Sequence, residues 1–295
     1  MRILITGATG QLGSDCQEIL KESFETVPLG SQDLDITRRR EVERIVGETR
    51  PQVILNCAAF TRVDACETEQ ASAWRVNVNG PENLAVAADQ YGVHLIHISS
   101  DYVFDGKKPV PRAYIETDGI NPLSYYGKTK WEGEAAVRRA TDNHTIVRTA
   151  WVYGHRGQNF LKTMLRLALK GPHKAIRVVN DQFGSPTWSY WLGRQIARLL
   201  TSGAKGTYHA TAEGYGTWYE LAGDFLDQME VPHTLIPCTT AEYPTPARRP
   251  MNSILENRRL KEANLNLMKD WQSDLWQFVH RYKDHLLTEI NEVQA

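Results

Sequence analysis

The chain opens on Arg2-Ile3-Leu4-Ile5-Thr6-Gly7-Ala8-Thr9-Gly10-Gln11-Leu12-Gly13, and no other stretch restricts its fold so sharply. Ile3, Leu4 and Ile5 make an unbroken apolar run, as a parallel strand covered on both faces requires. Glycines follow at positions 7, 10 and 13, and from Leu12 onward apolar residues recur at helical spacing, at Cys16, Ile19 and Leu20. The order is strand, glycine turn, helix. Glycine accepts φ > 0 and, lacking Cβ, lets a ligand approach the main chain. The helix that follows offers unpaired N–H groups and the positive end of its dipole, which together suit a pyrophosphate. The spacing is G-x-x-G-x-x-G instead of the stricter G-x-G-x-x-G, so its place between strand and helix is what marks a dinucleotide-binding turn. Gly7, Gly10 and Gly13 are therefore candidate cofactor residues.

Strand-like and helical segments keep alternating after this turn. Residues 24–29 read as a second strand. Thr37 is the expected N-cap of a helix with Val42, Ile45 and Val46 on its inner face, ended by Pro51. Val53-Ile54-Leu55 is a third strand and runs into the small residues Cys57-Ala58-Ala59, which leave room for a ligand. A long helical stretch over 67–91 contains Pro81, expected to kink or split it. A fourth strand spans 93–98, Ser124 opens a helix through Arg139, and a fifth strand spans 144–148. Such alternation predicts an α/β fold, a Rossmann-type doubly wound parallel sheet, with residues 1–150 as the dinucleotide-binding domain.

From Trp151 onward the pattern loosens. A helix from Phe160 is closed by Gly171-Pro172, a turn at 181–187 leads into a helix ending at Leu200, and a short strand spans 207–210. Later come a helix over 218–229, a proline-rich loop at 238–252 and a closing amphipathic helix over 271–287. There is no low-complexity linker and no repeat. Residues 151–295 are thus expected to form a smaller C-terminal substrate-binding region, interleaved with the first domain and walling one side of a cleft.

Composition excludes several function classes. Among 295 residues the formal net charge is −1, so nothing argues for nucleic acid or an anionic membrane surface. Hydrophobic residues make up 41% and charged residues 23%, ordinary for a chain that buries a core. The four cysteines show neither C-x-x-C nor metal spacing, and Cys16 and Cys57 fall at apolar positions, so reduced thiols are expected. No signal peptide or bilayer-length apolar run is present, which predicts a cytoplasmic protein without a membrane partner.

Chemistry concentrates at a few positions. Tyr126 and Lys130 stand four apart on a predicted helix and so one turn apart on one face. A lysine cation beside the phenol is expected to lower its pKa and make Tyr126 a general acid or base. Lys130 can also reach the cofactor ribose, and the hydroxyl of Ser100, at the end of the fourth strand, can hold a substrate carbonyl. Ser100, Tyr126 and Lys130 are the candidate catalytic residues, whereas Tyr125 and Lys128 fall on other faces. At the end of the second strand, where a carboxylate would select NAD and an arginine NADP, stand Gly30-Ser31. Either nicotinamide, NADPH or NADH, is expected, with Arg38 available to a 2′-phosphate. Arg248 and Arg249 lie in the proline-rich loop, where arginine suits a diphosphate.

The combination resembles the extended short-chain dehydrogenase/reductase superfamily. Within it, the segments Ser99-Ser100-Asp101-Tyr102-Val103-Phe104-Asp105-Gly106, Tyr126-Gly127-Lys128-Thr129-Lys130, Arg148-Thr149-Ala150-Trp151 and Asp181-Gln182-Phe183-Gly184-Ser185-Pro186-Thr187 resemble the dTDP-4-dehydrorhamnose reductase family. The likeness extends through Arg249-Pro250-Met251-Asn252-Ser253. It implies NAD(P)H-dependent reduction of a 4-keto sugar nucleotide. It further implies that Gly10, Gln11, Leu12, Asp35, Ile36, Ala58, Ala59 and Phe60 touch the cofactor together with Tyr126 and Lys130, and that Ser100, Asp101 and Trp151 meet the sugar. Arg249 joins them as a substrate-binding candidate.

Departures from the family pattern matter too. Ser100 stands where threonine is common, and the acid after the second strand is missing. Some relatives dimerise through a metal held by carboxylates, but Trp188-Ser189-Tyr190-Trp191 contains no acid, so no metal is expected. Ser100-Asp101-Tyr102 lacks the glutamate that sugar-nucleotide dehydratases place after this aspartate, which leaves simple carbonyl reduction. A non-catalytic NAD(P)-binding regulatory subunit is the alternative from a different class. The expected partner is a nucleotide-sugar substrate, and the expected assembly a monomer or homodimer.

Overall fold

The computed structural model describes residues 1–171 and 173–294; Pro172, expected to help close a helix, lies outside them. Its first half runs β1 (Arg2–Thr6), α1 (Gln11–Leu20), β2 (Glu25–Leu29), α2 (Arg39–Thr49), β3 (Val53–Asn56), α3 (Val63–Thr68), α4 (Gln70–Trp74), α5 (Gly80–Tyr91), β4 (His94–Ser100), α6 (Tyr125–Ala140) and β5 (His144–Thr149). The second half begins with β6 (Val152–Tyr153), α7 (Phe160–Lys170), β7 (Ile176–Val179), β8 (Phe183–Gly184), β9 (Thr187–Trp188) and α8 (Ser189–Ser202). It ends with β10 (Gly206–His209), β11 (Gly216–Thr217), α9 (Trp218–Gln228), β12 (Leu235–Cys238), α10 (Arg258–Glu262) and α11 (Trp271–Gln294).

Six strands form one sheet in the order β10-β5-β4-β3-β1-β2, and every neighbouring pair is parallel. Both faces are covered. Ile3 and Ile5 turn to the face where α1 and α8 pack, through Cys16, Leu20, Leu192 and Ile196. Leu4 turns to the opposite face, against Val42, Val46, Leu84 and Val137, as the two-residue period of a strand demands. α1 carries the chain from β1 out to β2, and α2 returns it past β1 to β3. The strand order therefore reverses at β1, and a crevice opens beyond the carboxyl ends of β1 and β3. A third core, with Leu161 and Leu165 of α7, Leu221 and Phe225 of α9 and Leu275 and Phe278 of α11, holds the second half together.

Three local expectations are revised. Thr37 does not cap α2: its hydroxyl and amide both donate to Asp35 Oδ1, at 2.7 and 3.0 Å, and Arg38 takes the N-cap position. The stretch expected as one helix over 67–91 is divided into α3, α4, a π-helical turn at Arg75–Asn79, and α5. Pro81 is the second residue of α5; it has no N–H to continue the ladder, and the backbone widens just before it. The closing helix runs on to Gln294, past the expected 287. Among the described residues, no helix is long and apolar enough to cross a membrane, and all four cysteines are free.

Candidate active site

Two adjoining cavities occupy the crevice. The first, of about 620 Å³, is lined by Gly7, Gly10, Asp35, Ile36, Ala58 and Ala59, with Thr9, Ser31 and Arg38 at its rim. Gly7 has φ +64°, and a Cβ there would lie 2.7 Å from the backbone nitrogen of Ala58, so only glycine lets the turn pass this close to β3. Gly10 is the N-cap of α1, no side chain caps that end, and no acid stands in the first turn. The helix therefore begins with open N–H groups.

At the end of β2 the Gly30 amide donates to Asp33 Oδ2 at 2.8 Å, which closes the turn, and Asp33 itself does not line the cavity. Burial raises the Asp35 carboxyl, but its bonds from Thr37 and the charge of Arg38 at 3.2 Å outweigh this and hold it below its ordinary value.

The second cavity, of about 980 Å³, meets the first at Gly10, Cys57 and Ala59. Gln11, Leu12, Gly13, Ser100, Asp101, Tyr126, Lys130, Trp151 and Arg249 all reach it. Among the residues expected to touch the cofactor, Phe60 lines neither: its amide and carbonyl are both pinned by Asn77, at 2.8 and 3.0 Å, and its ring lies beneath Arg62.

The placement of Tyr126 and Lys130 follows from how α6 starts. Ser124 Oγ accepts from the Gly127 amide at 3.1 Å, and Glu67 of α3 accepts from the Tyr125 amide at 2.8 Å. A Cβ on Gly127 would fall 2.2 Å from the carbonyl oxygen of Tyr102, so glycine lets the helix press against the turn that follows β4. The helix then buries the Tyr126 and Lys130 face, while Lys128 is exposed and Tyr125 half-buried. Deeper in, Glu134 accepts both Arg148 donors at 2.9 and 2.8 Å, Ser99 Oγ at 2.6 Å and Arg138 at 2.7 Å. Burial opposes ionisation of Glu134, but Arg148 beside it wins and its pKa falls to about 2. This cluster ties the ends of β4 and β5 to α6, and so fixes Ser100 and Trp151 relative to Tyr126.

One electrostatic expectation is corrected. Lys130 does not lower the Tyr126 pKa: its Nζ donates to the Ile98 carbonyl at 2.8 Å. Burial pushes the phenol well above its ordinary value, against a smaller pull from the Ser100 hydroxyl. The same burial draws the Lys130 amine down to about 8. Tyr126 is thus fully protonated at neutral pH, the form a proton donor needs. Ser100 Oγ accepts from the Tyr102 amide at 3.2 Å and donates to Asp101 Oδ1 at 2.8 Å. Asp101 is buried, and burial lifts its carboxyl to about 6, against a pull from the Ser253 and Ser100 hydroxyls.

The far wall is aromatic. Trp151 has φ +48°, rare for a bulky residue, and its indole stacks on Trp218 with ring centroids 3.6 Å apart and planes within 7°. One face of Trp151 is therefore covered, and only what remains of the ring is open to the cleft. Trp218 Nε1 donates to Gln182 Oε1 at 3.2 Å. Arg249 reaches the cleft, but its guanidinium forms a two-pronged pair with Asp64, at 3.1 and 2.9 Å. Its neighbour Arg248 is exposed and lines neither cavity.

Asp64, Trp218 and Tyr243 carry no site signal in the sequence, yet Trp218 and Tyr243 line the cleft and Asp64 holds a residue that does. Cys57, at a strand's carboxyl end, and Gln182, in the family-like segment 181–187, line the cleft as well. Among the described residues, no group of three His, Cys, Asp or Glu side chains is arranged to hold a metal.

Comparison with known proteins agrees with this geometry. A family model described as RmlD substrate binding domain matches residues 1–284. A dTDP-4-dehydrorhamnose reductase of Aggregatibacter actinomycetemcomitans is 41% identical, over 93% of this chain and 97% of that one. A probable dTDP-4,6-dihydroxy-2-methyloxan-3-one 4-ketoreductase of Streptomyces antibioticus is also 41% identical, over 93% of each chain. The crystal structure of a dTDP-4-dehydrorhamnose reductase from Bacillus anthracis in complex with NADP superposes with a TM-score of 0.91 at 38% identity, covering 95% of this chain and 99% of that one.

Proposed function

The chain belongs to the dTDP-4-dehydrorhamnose reductase family of the extended short-chain dehydrogenase/reductases, and from that premise we propose that it reduces the C4 keto group of dTDP-4-dehydro-L-rhamnose to dTDP-L-rhamnose with NADPH or NADH. Membership itself makes it an NAD(P)-dependent sugar-nucleotide 4-ketoreductase. The observation that carries the reading is the convergence of Ser100, Tyr126 and Lys130 on one cavity that opens at Gly10 and Ala59 into the glycine-turn groove.

The groove fits a dinucleotide. The uncapped start of α1 offers N–H groups for a pyrophosphate, and Asp35 and Arg38 stand where the adenosine ribose would lie. Gly7, Gly10, Gly13, Gln11, Leu12, Ile36, Ala58 and Ala59 would line its length, and Lys130 would hold the second ribose. The nicotinamide, when bound, supplies hydride to C4 of the sugar. The rest is done by the chain. Ser100 orients the carbonyl, and Tyr126 gives its phenolic proton to O4 as the C–H bond forms, so the ketone becomes a hydroxyl. A phenol held high by burial is a weak acid, so it keeps its proton until the alkoxide developing at O4 takes it. Asp101 and the open part of Trp151 contact the sugar, and Arg249 contacts the diphosphate.

A second reading, reduction of a different 4-keto-6-deoxy sugar nucleotide, is favoured by the Streptomyces antibioticus relative. Both are tested by following loss of NADPH absorbance across a panel of such substrates. The highest kcat/KM on dTDP-4-dehydro-L-rhamnose supports the first reading, and a higher value elsewhere on the panel replaces it with the second. No oxidation of NADPH on any of them returns the protein to the regulatory-subunit class.

A further inference from the structure

We propose that Asp101 is a positioning residue that sets the direction of the Ser100 hydrogen bond, and so decides whether Ser100 can donate to the substrate carbonyl; this rests on the reductase reading above. A serine hydroxyl has one proton and two lone pairs. Ser100 Oγ uses one lone pair for the Tyr102 amide, at 3.2 Å, and spends its proton on Asp101 Oδ1, at 2.8 Å. An ionised carboxylate can only accept. While Asp101 is ionised, therefore, the Ser100 proton points away from the cleft. Turning it toward a carbonyl would take from a buried carboxylate one of the two side-chain hydroxyls, Ser253 and Ser100, that hold its charge.

Protonation of Asp101 removes the conflict. The acid then donates to the second lone pair of Ser100, and the serine proton is released to O4 of the sugar. All three hydrogen-bonding positions of Ser100 are then used at once, with Tyr126 free to donate to the same O4.

The surroundings make this titration accessible. Asp101 is 2% exposed and, among the described residues, forms no ion pair. The groups facing it are Tyr102 from its own turn, Tyr126 from α6 and Ser253 from the segment after Pro250, and none of them is cationic. Arg249 reaches only as far as Tyr102. Burial raises the Asp101 carboxyl to about 6, with Ser253 and Ser100 pulling it back.

The experiment is the pH profile of kcat on dTDP-4-dehydro-L-rhamnose for the wild type, Asp101→Asn and Ser100→Ala, with NADPH affinity measured by fluorescence as a check on folding. The wild-type kcat should fall as pH rises above about 6, approaching tenfold per pH unit once the group is mostly ionised. Asp101→Asn keeps a permanent N–H donor toward Ser100, so its kcat should change by less than about threefold from pH 6 to pH 7.5. Ser100→Ala should be slower and equally flat over this range, because Asp101 then has nothing to orient. Titration of Lys130, whose amine lies near 8, is common to all three proteins. Survival of the wild-type fall in either folded variant overturns the role of Asp101. So does an Asp101→Asn protein that binds NADPH normally yet is no faster than Ser100→Ala at any pH. A wild type that oxidises no NADPH sinks the reductase function itself, whereas an active wild type whose fall survives substitution sinks the Asp101 role alone.

Discussion

The dinucleotide groove and the substrate cleft share Gly10, Cys57 and Ala59 but are built differently. The groove draws on three short segments at neighbouring strand ends, residues 7–10, 31–41 and 57–59, with Val76 beside them, and its tightest point is main chain against main chain. The cleft takes side chains from much of the chain, among them Tyr126, Trp151, Gln182, Trp218, Tyr243 and Arg249. A groove of that kind depends on room along the backbone. A cleft of this kind depends on particular functional groups, several of them held by partners far off in sequence, as Arg249 is by Asp64 and Trp151 by Trp218. Substitutions should therefore divide into those that move cofactor affinity and those that move turnover or sugar-nucleotide affinity.

The sharpest division is expected at Tyr126. Tyr126→Phe keeps the ring, packed at 5.5 Å edge-on to Tyr102, and deletes only the acidic proton. Turnover should fall by roughly 10²–10⁴, the usual contribution of a positioned general acid, with NADPH affinity nearly unchanged. Tyr125→Phe should be close to silent. A Tyr126→Phe enzyme with more than half of wild-type kcat, next to a damaged Tyr125→Phe, would show that the wrong tyrosine was chosen.

Next comes Arg249. Loss of a charge-assisted contact costs about 1.5–3 kcal/mol, so Arg249→Met should raise KM for the nucleotide sugar by roughly 10- to 100-fold. Titration with dTDP should weaken in parallel while NADPH binding stays put. Equal losses for both ligands would erase the distinction between groove and cleft.

Gly10→Val tests the groove from the other side. Its Cβ would lie 3.2 Å from the Gly7 carbonyl, and the larger side chain would crowd the start of α1. NADPH affinity should drop by about tenfold, roughly 1.4 kcal/mol, with the melting temperature little changed. Unaltered affinity in a folded variant would place the pyrophosphate elsewhere.

The smallest effect is expected at Arg38, whose side chain is 74% exposed. An exposed charge contact is worth about 0.2–1 kcal/mol, so Arg38→Ala should cut any preference for NADPH over NADH by roughly two- to fivefold. A wild-type preference for NADH above about a thousandfold, near 4 kcal/mol, would contradict the absence of a carboxylate at Gly30.

The same contrast explains what could be read from sequence. The groove was legible because strand, turn and helix lie within the first twenty residues, and local spacing carries the geometry. Tyr126 and Lys130 were legible because i, i+4 spacing on a helix fixes their common face. Trp218 carried no such signal: it comes to the cleft by stacking on Trp151, across 67 residues of chain, and no local pattern reports a tertiary stack. The residue type of Thr37 suits a cap, but Asp35, two residues earlier, competes for its hydroxyl. The acidity of Tyr126 is not legible in the same way, because helical spacing gives the distance between side chains but not the Ile98 carbonyl that claims the lysine.

The sixth strand has a consequence for how the protein comes into being. β10 lies beside β5, pairing Gly206 with Thr145 through His209 with Arg148, and α8, just before it in the chain, covers the face of α1. A growing polypeptide that has emerged only as far as the fifth strand would leave that strand with an unpaired edge and Ile3, Ile5 and Cys16 without part of their cover. The nucleotide-binding half is thus finished only when some two hundred residues have left the ribosome. A gene fragment ending near position 150 should yield aggregate instead of a small folded unit, and exchange of the two halves between relatives would have to carry this strand and helix with the first.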